Sequence, residues 1–275
     1  MEINENEESV KVINQENDFD CLIKTYLTLW TELKSLRETE EIEILEKLLF
    51  KMQLNFFSLS TLLKGSNPYN LDNLFDVPSI FTITRTLIEN YVTFEYLFVI
   101  KDECLKHTTR EERIRSYKFA GYKNLKQIEK IHNNPTRVTE IEEILEKFRL
   151  DINVSIERLV NVNPNNFEKP RMEYCWVDLI EKSKLHTIFF KSSWQLFSNY
   201  AHSEYIYIMG INNYISNQKA FYERKRCYRA ALIIISLLIS TIVELFPDKL
   251  KEKFEERENE KRSLVYVYTE LINKL

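Results

Sequence analysis

Glycine is scarce in this sequence: only Gly65, Gly121 and Gly210 occur among its 275 residues. Ordinary globular proteins contain about 7% glycine, which would give roughly 19 in a chain of this length. Loops that bind phosphate through backbone amides need glycine for positive φ and for close backbone approach. The composition therefore excludes a Walker-type loop and a dinucleotide-binding fingerprint. It also disfavours doubly wound nucleotide folds, barrels and Greek-key sandwiches.

Motifs for metal ions and for hydrolases are missing as well. The four cysteines are widely spaced, which predicts reduced core thiols in a cytoplasmic protein and no structural zinc site. His202 and Glu204 form a His-x-Glu triplet, but the Pro-Cys-x-x-Cys partner of a zinc deaminase is absent. No two histidines have zinc-protease spacing, and no glycine-flanked serine marks a hydrolase elbow. We therefore expect no metal and no cofactor.

Acidic charge is concentrated at the start of the chain. Residues 1–18 carry six carboxylates and one lysine, a net charge of -5, whereas the whole chain carries -4. We predict a disordered acidic tail over residues 1–17 and a folded body that is close to neutral. No basic leader precedes an apolar stretch, so secretion is not expected.

Helical periodicity and capping signals run through the rest of the chain. They predict an all-α bundle of about eight or nine helices with no sheet, the first of them over residues 18–37. Thr39 and Gly65 bound the second helix, and capping boxes at Thr109 and Thr139 open two later helices.

We predict one helical bundle domain over residues 18–247. Residues 248–275 are predicted to form a C-terminal helix that is peripheral or serves assembly. The run AALIIISLLISTIV at 230–243 is shorter than the roughly 20 apolar residues of a membrane-spanning helix. We interpret it as the central core helix and expect no stable membrane insertion.

The most apolar helix carries the first candidate site. Between residues 79 and 100 its only charged residues are Arg85, Glu89 and Glu95. Buried charges cost several kcal/mol unless they are paired, and Arg85 and Glu89 lie on one helix face. Either the two form an internal ion pair that fixes helix register, or they line a polar pocket in the bundle.

A later helix offers a surface that would face this pair. Its polar side contains Gln195, Ser198, Asn199, His202 and Tyr205 at three- and four-residue spacing. An adjoining side is apolar and contains Trp194, Phe197, Ala201 and Ile208. An imidazole that titrates near pH 7 suits proton transfer or phosphate contact, although a lone histidine on a helix can also be an ordinary packed residue.

These patterns give a set of candidate site residues. We predict catalytic roles for His202, Arg85 and Glu89, and ligand-binding roles for Ser198, Asn199, Tyr205 and Arg113. Arg113 would reach the site from a neighbouring helix.

Two basic stretches, residues 110–130 and 219–229, each carry a net charge of +4 and contain interleaved aromatics. Such stretches can hold single-stranded nucleic acid by charge and stacking, or can simply form solvated helix faces.

The segments RTLIEN (Arg85, Glu89) and WQLFSNYAH (Trp194, Ser198, His202) resemble a bacterial family of uncharacterised all-helical proteins over about residues 78–245. More distantly, the chain is similar to the HEPN superfamily, helical bundles common in toxin–antitoxin and phage-defence systems, many of them metal-independent ribonucleases. The HEPN signature is an arginine followed by four to six residues and a histidine. Gln195, Leu196 and Phe197 occupy the arginine positions before His202, so Arg85 would have to supply that charge.

The sequence therefore predicts a cytoplasmic helical protein whose polar pocket binds a phosphate-bearing or RNA ligand. The activity that the resemblance implies is a metal-independent ribonuclease of the defence or toxin–antitoxin type. Expected protein partners are a second copy of the chain or an antitoxin-like protein. The alternative is a non-enzymatic interaction or scaffold module, in which the polar cluster is structural and the long apolar helix serves assembly.

Overall fold

The structure, a computed structural model, describes residues 5–34, 39–65, 76–105, 109–156, 175–201, 217–257 and 259–274. Within these ranges it contains ten α-helices and no strand, so the predicted all-α multi-helix bundle is confirmed. The chain divides into two compact units, the first drawn from residues 1–94 and 180–275 and the second from residues 95–179.

In chain order the helices are α1 (Glu5–Leu33), α2 (Glu40–Lys64), α3 (Val77–Phe94), α4 (Arg110–Ile131), α5 (Pro135–Ile156), α6 (Trp176–Lys182), α7 (Ile188–Ala201), α8 (Asn217–Leu245), α9 (Pro247–Glu255) and α10 (Asn259–Leu271). Shorter helical turns are a π-helical turn at Glu95–Val99 and 3-10 turns at Asp102–Cys104 and Ile272–Lys274.

Helix α8 is the centre of the first unit. It packs against α1, α3, α9 and α10, and every residue from 230 to 235 is fully buried. Residues 221–245 are long and apolar enough to cross a membrane, but 72% of their most apolar window is buried inside the protein. Such burial is typical of the core helix of a soluble protein. The buried residues of this run belong to the core of the first unit, and its predicted role in assembly stays a prediction.

The first helix extends into the acidic start of the chain. Helix α1 begins at Glu5 rather than near residue 18. Arg224 on α8 donates to Glu16 at 3.3 Å, and the Tyr268 hydroxyl on α10 donates to Asp18 at 2.6 Å. Glu16 therefore has a partner on α8, whereas Asp18 already lay within the predicted first helix. The disorder predicted for residues 1–17 stays a prediction.

The C-terminal residues form two helices, α9 and α10, rather than one. Both pack against α1 and α8. Leu250, Phe254 and Val265 are buried in these contacts. Helices α9 and α10 therefore contribute to the core of the first unit.

Most of the predicted helix boundaries follow from local hydrogen bonds. The Thr39 hydroxyl accepts the Ile42 N–H at the start of α2, and Gly65 ends that helix with a φ of 78°. At the start of α4, Thr109 and Glu112 form both hydrogen bonds of the predicted capping box.

The capping box predicted at Thr139 is wrong. Helix α5 begins at Pro135, one turn earlier, and the Thr139 hydroxyl donates to the Pro135 carbonyl at 3.1 Å. The Asn134 side chain instead accepts the Arg137 N–H at 3.3 Å. Proline is favoured at the first helical position because its missing N–H would have no helical partner there.

The second unit is built on the pairing of α4 with α5. Phe119 on α4 packs with Ile141 and Leu145 on α5. The rings of Tyr122 and Phe148 lie 5.8 Å apart, centroid to centroid. These apolar contacts hold the two helices together.

The cysteines do not all lie in the core. Cys227 is buried and Cys21 is half-buried, whereas Cys104 and Cys175 are exposed. The prediction of core thiols is therefore wrong for Cys104 and Cys175. Both lie at the ends of short helical segments, where side chains are less covered than within a long packed helix.

Candidate functional site

Helices α3 and α7 of the first unit pack in opposite chain directions. Phe81, near the start of α3, contacts Phe197 and Tyr200 on α7, with both ring-centroid distances at 4.8 Å. Later along α3, Glu89 meets Trp194, which comes earlier along α7. Helices α3 and α7 therefore face each other, as predicted, but Trp194 of the predicted apolar side makes the contact with Glu89.

Arg85, Glu89 and Trp194 form what we call the α3–α7 cluster. The Oε1 atom of Glu89 accepts the Nε proton of Arg85 at 2.8 Å and the indole proton of Trp194 at 3.1 Å. The Arg85 guanidinium carbon lies 5.9 Å from the centroid of the Trp194 ring, within cation–π distance. The predicted ion pair between Arg85 and Glu89 is thereby confirmed.

The ion pair is shielded but still reaches the surface. The side chains of Arg85 and Glu89 are 17% and 18% exposed. Electrostatic attraction is stronger in such a partly desolvated position than between fully hydrated groups. Glu89 binds Arg85 at Nε and Trp194 lies near the guanidinium, so the two together restrict its orientation.

Trp194 was predicted as a residue of the family motif but not as a site residue. The sequence pattern placed it on the apolar side of α7, whereas the polar side was expected to face Arg85 and Glu89. Gln195 and Asn199 on that polar side instead bond to each other at 2.9 Å in an exposed position. The signal that could have identified it was the indole N–H of Trp194, because a buried indole N–H usually has a hydrogen-bond partner. The carboxylate of Glu89 on the facing helix was an available acceptor.

Ser198, a predicted ligand-binding residue, carries a buried hydroxyl group whose hydrogen bonding is unsatisfied among the described residues. It is 5% exposed, and its hydroxyl has no hydrogen-bond partner among the described residues. It follows Trp194 by four residues, which places it on the same side of α7. Buried hydroxyls are usually hydrogen-bonded, so Ser198 offers an unused polar group next to the cluster.

His202 and Tyr205, the two remaining predicted residues of this helix, lie outside the described residues. The described part of α7 ends at Ala201. Joint action of His202 with Arg85 and Glu89 therefore stays a prediction, as does the role of Tyr205.

Arg113 belongs to the second unit. Its side chain is 1% exposed; Nη1 donates to Asp102 at 2.7 Å and Nη2 donates to the Ile100 carbonyl at 2.9 Å. Its guanidinium carbon lies 5.7 Å from the centroid of the Tyr96 ring. These contacts fix the start of α4 to the segment before it. The predicted ligand-binding role of Arg113 stays a prediction.

Comparison with known proteins gives one family. A model described as a family of unknown function (DUF5677) matches residues 33–222, which include both helices of the α3–α7 cluster. No curated protein and no solved structure gives a significant match to the chain. The HEPN likeness stays a prediction, whereas membership of an uncharacterised family is confirmed. Because the matched residues make up more than half of the sequence, the chain belongs to this family of unknown function, DUF5677.

Proposed function

We propose that this protein binds a phosphate-bearing ligand at the α3–α7 cluster and that RNA is the first ligand to test. The observation that supports the proposal is the hydrogen bond in which Glu89 accepts the Nε proton of Arg85 at 2.8 Å and so orients the guanidinium. A guanidinium is a planar fork of N–H donors that matches a phosphate group. A guanidinium that is already oriented loses less conformational entropy when a phosphate binds.

Ser198 supports the same ligand class. Its buried hydroxyl has no partner among the described residues and lies one helical turn from Trp194. A phosphate oxygen accepts hydrogen bonds and would satisfy this hydroxyl. In the proposal Arg85 contacts the phosphate charge, Ser198 donates to one of its oxygens, and Glu89 and Trp194 position Arg85. Asn199 and Tyr205 are assigned to the rest of the ligand.

The first reaction to test is cleavage of an RNA phosphodiester without a metal ion. His202 is proposed to take the proton of the ribose 2′-hydroxyl, after which the 2′-oxygen attacks phosphorus, the bond from phosphorus to the 5′-oxygen breaks, and the leaving 5′-oxygen takes a proton from water. Arg85 would stabilise the negative charge that grows on the phosphate oxygens. The resemblance to HEPN ribonucleases supports this chemistry, and it would place the protein in phage defence or in a toxin–antitoxin system.

A second candidate function is a scaffold without chemistry. It is favoured by the hydrogen bonds that Arg85 and Trp194 both make to Glu89, since these tie α3 to α7. In that case the cluster stabilises helix packing, and the protein acts through partners, either a second copy or an antitoxin-like protein.

RNA binding by a charge-removing variant separates the two functions. Fluorescence anisotropy of a labelled single-stranded RNA is measured with the wild type, with Arg85→Gln and with a control, Lys51→Gln. Lys51 is an exposed cation on α2 of the same unit. We expect Arg85→Gln to weaken binding roughly tenfold or more, because a charge-assisted hydrogen bond is lost, and Lys51→Gln to have little effect.

Stability is measured on the same samples by urea unfolding. Lower stability of Arg85→Gln with unchanged RNA affinity would establish the scaffold function and contradict the ligand site.

Cleavage is tested by incubating wild type and His202→Ala with RNA in the presence of a metal chelator. Products ending in a 2′,3′-cyclic phosphate, formed only by the wild type, are the expected result. Equal products from both proteins would remove His202 from the reaction.

A further inference from the structure

The second basic stretch, residues 219–229, lies at the start of α8 and borders a cavity of about 520 Å³ in the first unit. Three of the residues that line the cavity are basic: Lys225, Arg226 and Arg229. With Tyr222 they follow a three- and four-residue spacing, which places all four on one face of the helix. None of the lining residues is acidic.

Three acidic side chains lie close to residues of this cavity. Glu16 accepts from Arg224, and Asp18 accepts from the Tyr268 hydroxyl. Glu223 forms an ion pair with Arg226 at 3.5 Å, so one cation of the cavity is partly compensated. Among the described residues, Arg229 has no carboxylate within 4.0 Å. Lys225 and Arg229 lie four residues apart on α8, and like charges at this spacing repel each other. An anion in the cavity would relieve this repulsion.

Three aromatic rings also line the cavity, beside Gln15 and Leu271. Phe189 comes from α7, Tyr222 from α8 and Tyr268 from α10. The guanidinium carbon of Arg229 lies 5.6 Å from the centroid of the Phe189 ring, which holds this cation at the wall. Tyr222 is 50% exposed, so its ring is open to a flat ligand group. The wall therefore joins positive charge to ring surface available for stacking.

We propose that this cavity is a nucleotide-binding site, in which Arg229, Arg226 and Lys225 bind the phosphate groups and Tyr222 stacks on the base. The volume lies within the range of about 300 to 1,000 Å³ that is typical of small-molecule sites. Arginine and an aromatic ring together recognise the two chemically different ends of a nucleotide, its phosphates and its base. No residue of this cavity belongs to the α3–α7 cluster, so each proposed site can be tested independently of the other.

Calorimetric titration at low ionic strength tests the proposal with ADP, inorganic pyrophosphate and adenosine as probes. The wild type is expected to bind ADP most tightly, pyrophosphate less tightly and adenosine too weakly to measure. Arg229→Gln should weaken ADP and pyrophosphate binding roughly tenfold or more. Tyr222→Ala should weaken ADP binding and leave pyrophosphate binding unchanged. Lys51→Gln, which removes a remote cation of the same unit, should change neither.

The outcomes that overturn the proposal are distinct. It is wrong if ADP gives no binding to the folded wild type, or if Arg229→Gln and Lys225→Gln, both verified as folded by circular dichroism, bind ADP as the wild type does. It is also wrong if a single-stranded RNA binds with the same sensitivity to these variants while ADP does not, since the occupant is then an RNA strand. Arg85→Gln must retain full ADP affinity, which separates this site from the proposed RNA site.

Discussion

Trp194 on α7 and Arg85 on α3 donate to the same oxygen of Glu89, and the Trp194 bond spans 105 residues of sequence. One carboxylate thereby fixes an ion pair within α3 and a contact between two helices. The orientation of Arg85 depends on the packing of α7. Changes to Glu89 or Trp194 are therefore expected to act on the same interaction.

A double-mutant cycle measures this dependence. Glu89→Gln leaves the Arg85 charge without its carboxylate, and Trp194→Phe removes one hydrogen bond; we expect losses of about 2 and about 1 kcal/mol in the free energy of unfolding. The double variant should lose at least about 0.5 kcal/mol less than the sum. Urea unfolding checks this, with Trp30→Phe as control because Trp30 stacks on Phe50 instead. Strict additivity for Glu89 and Trp194 would contradict the shared contact.

Two buried serines form a matched pair for separating stability from binding. The hydroxyls of Ser198 on α7 and Ser236 on α8 are both buried without a hydrogen-bond partner among the described residues. Replacing either by alanine should raise the free energy of unfolding by about 1 kcal/mol, because an unsatisfied buried polar group is removed. Only Ser198→Ala should weaken RNA binding. Equal RNA affinities for the two variants would exclude Ser198 from the site.

Arg113→Met tests the anchoring of α4. The substitution removes the ion pair to Asp102 and the bond to the Ile100 carbonyl, at 2.7 and 2.9 Å, so we expect a loss of about 2 kcal/mol. Lys130→Met, at an exposed position near the other end of α4, should change stability by less than about 0.5 kcal/mol. Chemical unfolding followed by circular dichroism distinguishes the two. Equal stabilities would show that the Arg113 contacts contribute nothing.

Cys227 makes stability depend on alkaline pH. Burial raises the pKa of its thiol from 9.0 to about 12, while a hydrogen bond with Thr84 opposes the shift. From pH 9 to 12 the unfolded chain loses this proton and the native protein retains it, so stability falls as pH rises. Titration of the Cys227 thiol therefore lowers the free energy of unfolding by about 1.4 kcal/mol between about pH 7 and pH 10.

Cys227→Ala is the control for this pH effect. It is expected to be less stable at neutral pH because a small cavity is left in the core. Its stability should then fall by about 1.4 kcal/mol less than that of the wild type on going to about pH 10, since tyrosines titrate in both proteins. Parallel pH profiles of the two proteins in urea unfolding would contradict the burial of this thiol.

Much of the fold could be predicted because its signals are local. The cap at Thr39 and the capping box at Thr109 involve residues three positions apart, and the fourteen-residue apolar run of α8 indicates a buried helix by itself. The pairing of Arg85 with Glu89 follows from their spacing within one helix turn. The error at Thr139 also has a local cause, since Pro135 starts the helix one turn earlier.

The remaining features depend on contacts between distant segments. The bond from Trp194 to Glu89 needs the relative rotation of α3 and α7, which periodicity leaves undetermined. The partner of Glu16 on α8 is more than 200 residues away, so a charge count alone could not identify it. The cavity beside Arg229 is formed by four helices and has no signature in any one of them.

The most direct test of the α3–α7 cluster as a ligand site uses the three tryptophans as reporters. Indole ¹H–¹⁵N spectra are recorded during titration with unlabelled single-stranded RNA, and the Trp194 signal is assigned with Trp194→Phe. Because Trp194 bonds to the carboxylate that holds Arg85, its signal should shift and saturate with RNA, and the signals of Trp30 and Trp176 should stay in place. RNA that saturates the protein while the Trp194 signal does not move would contradict the proposed site.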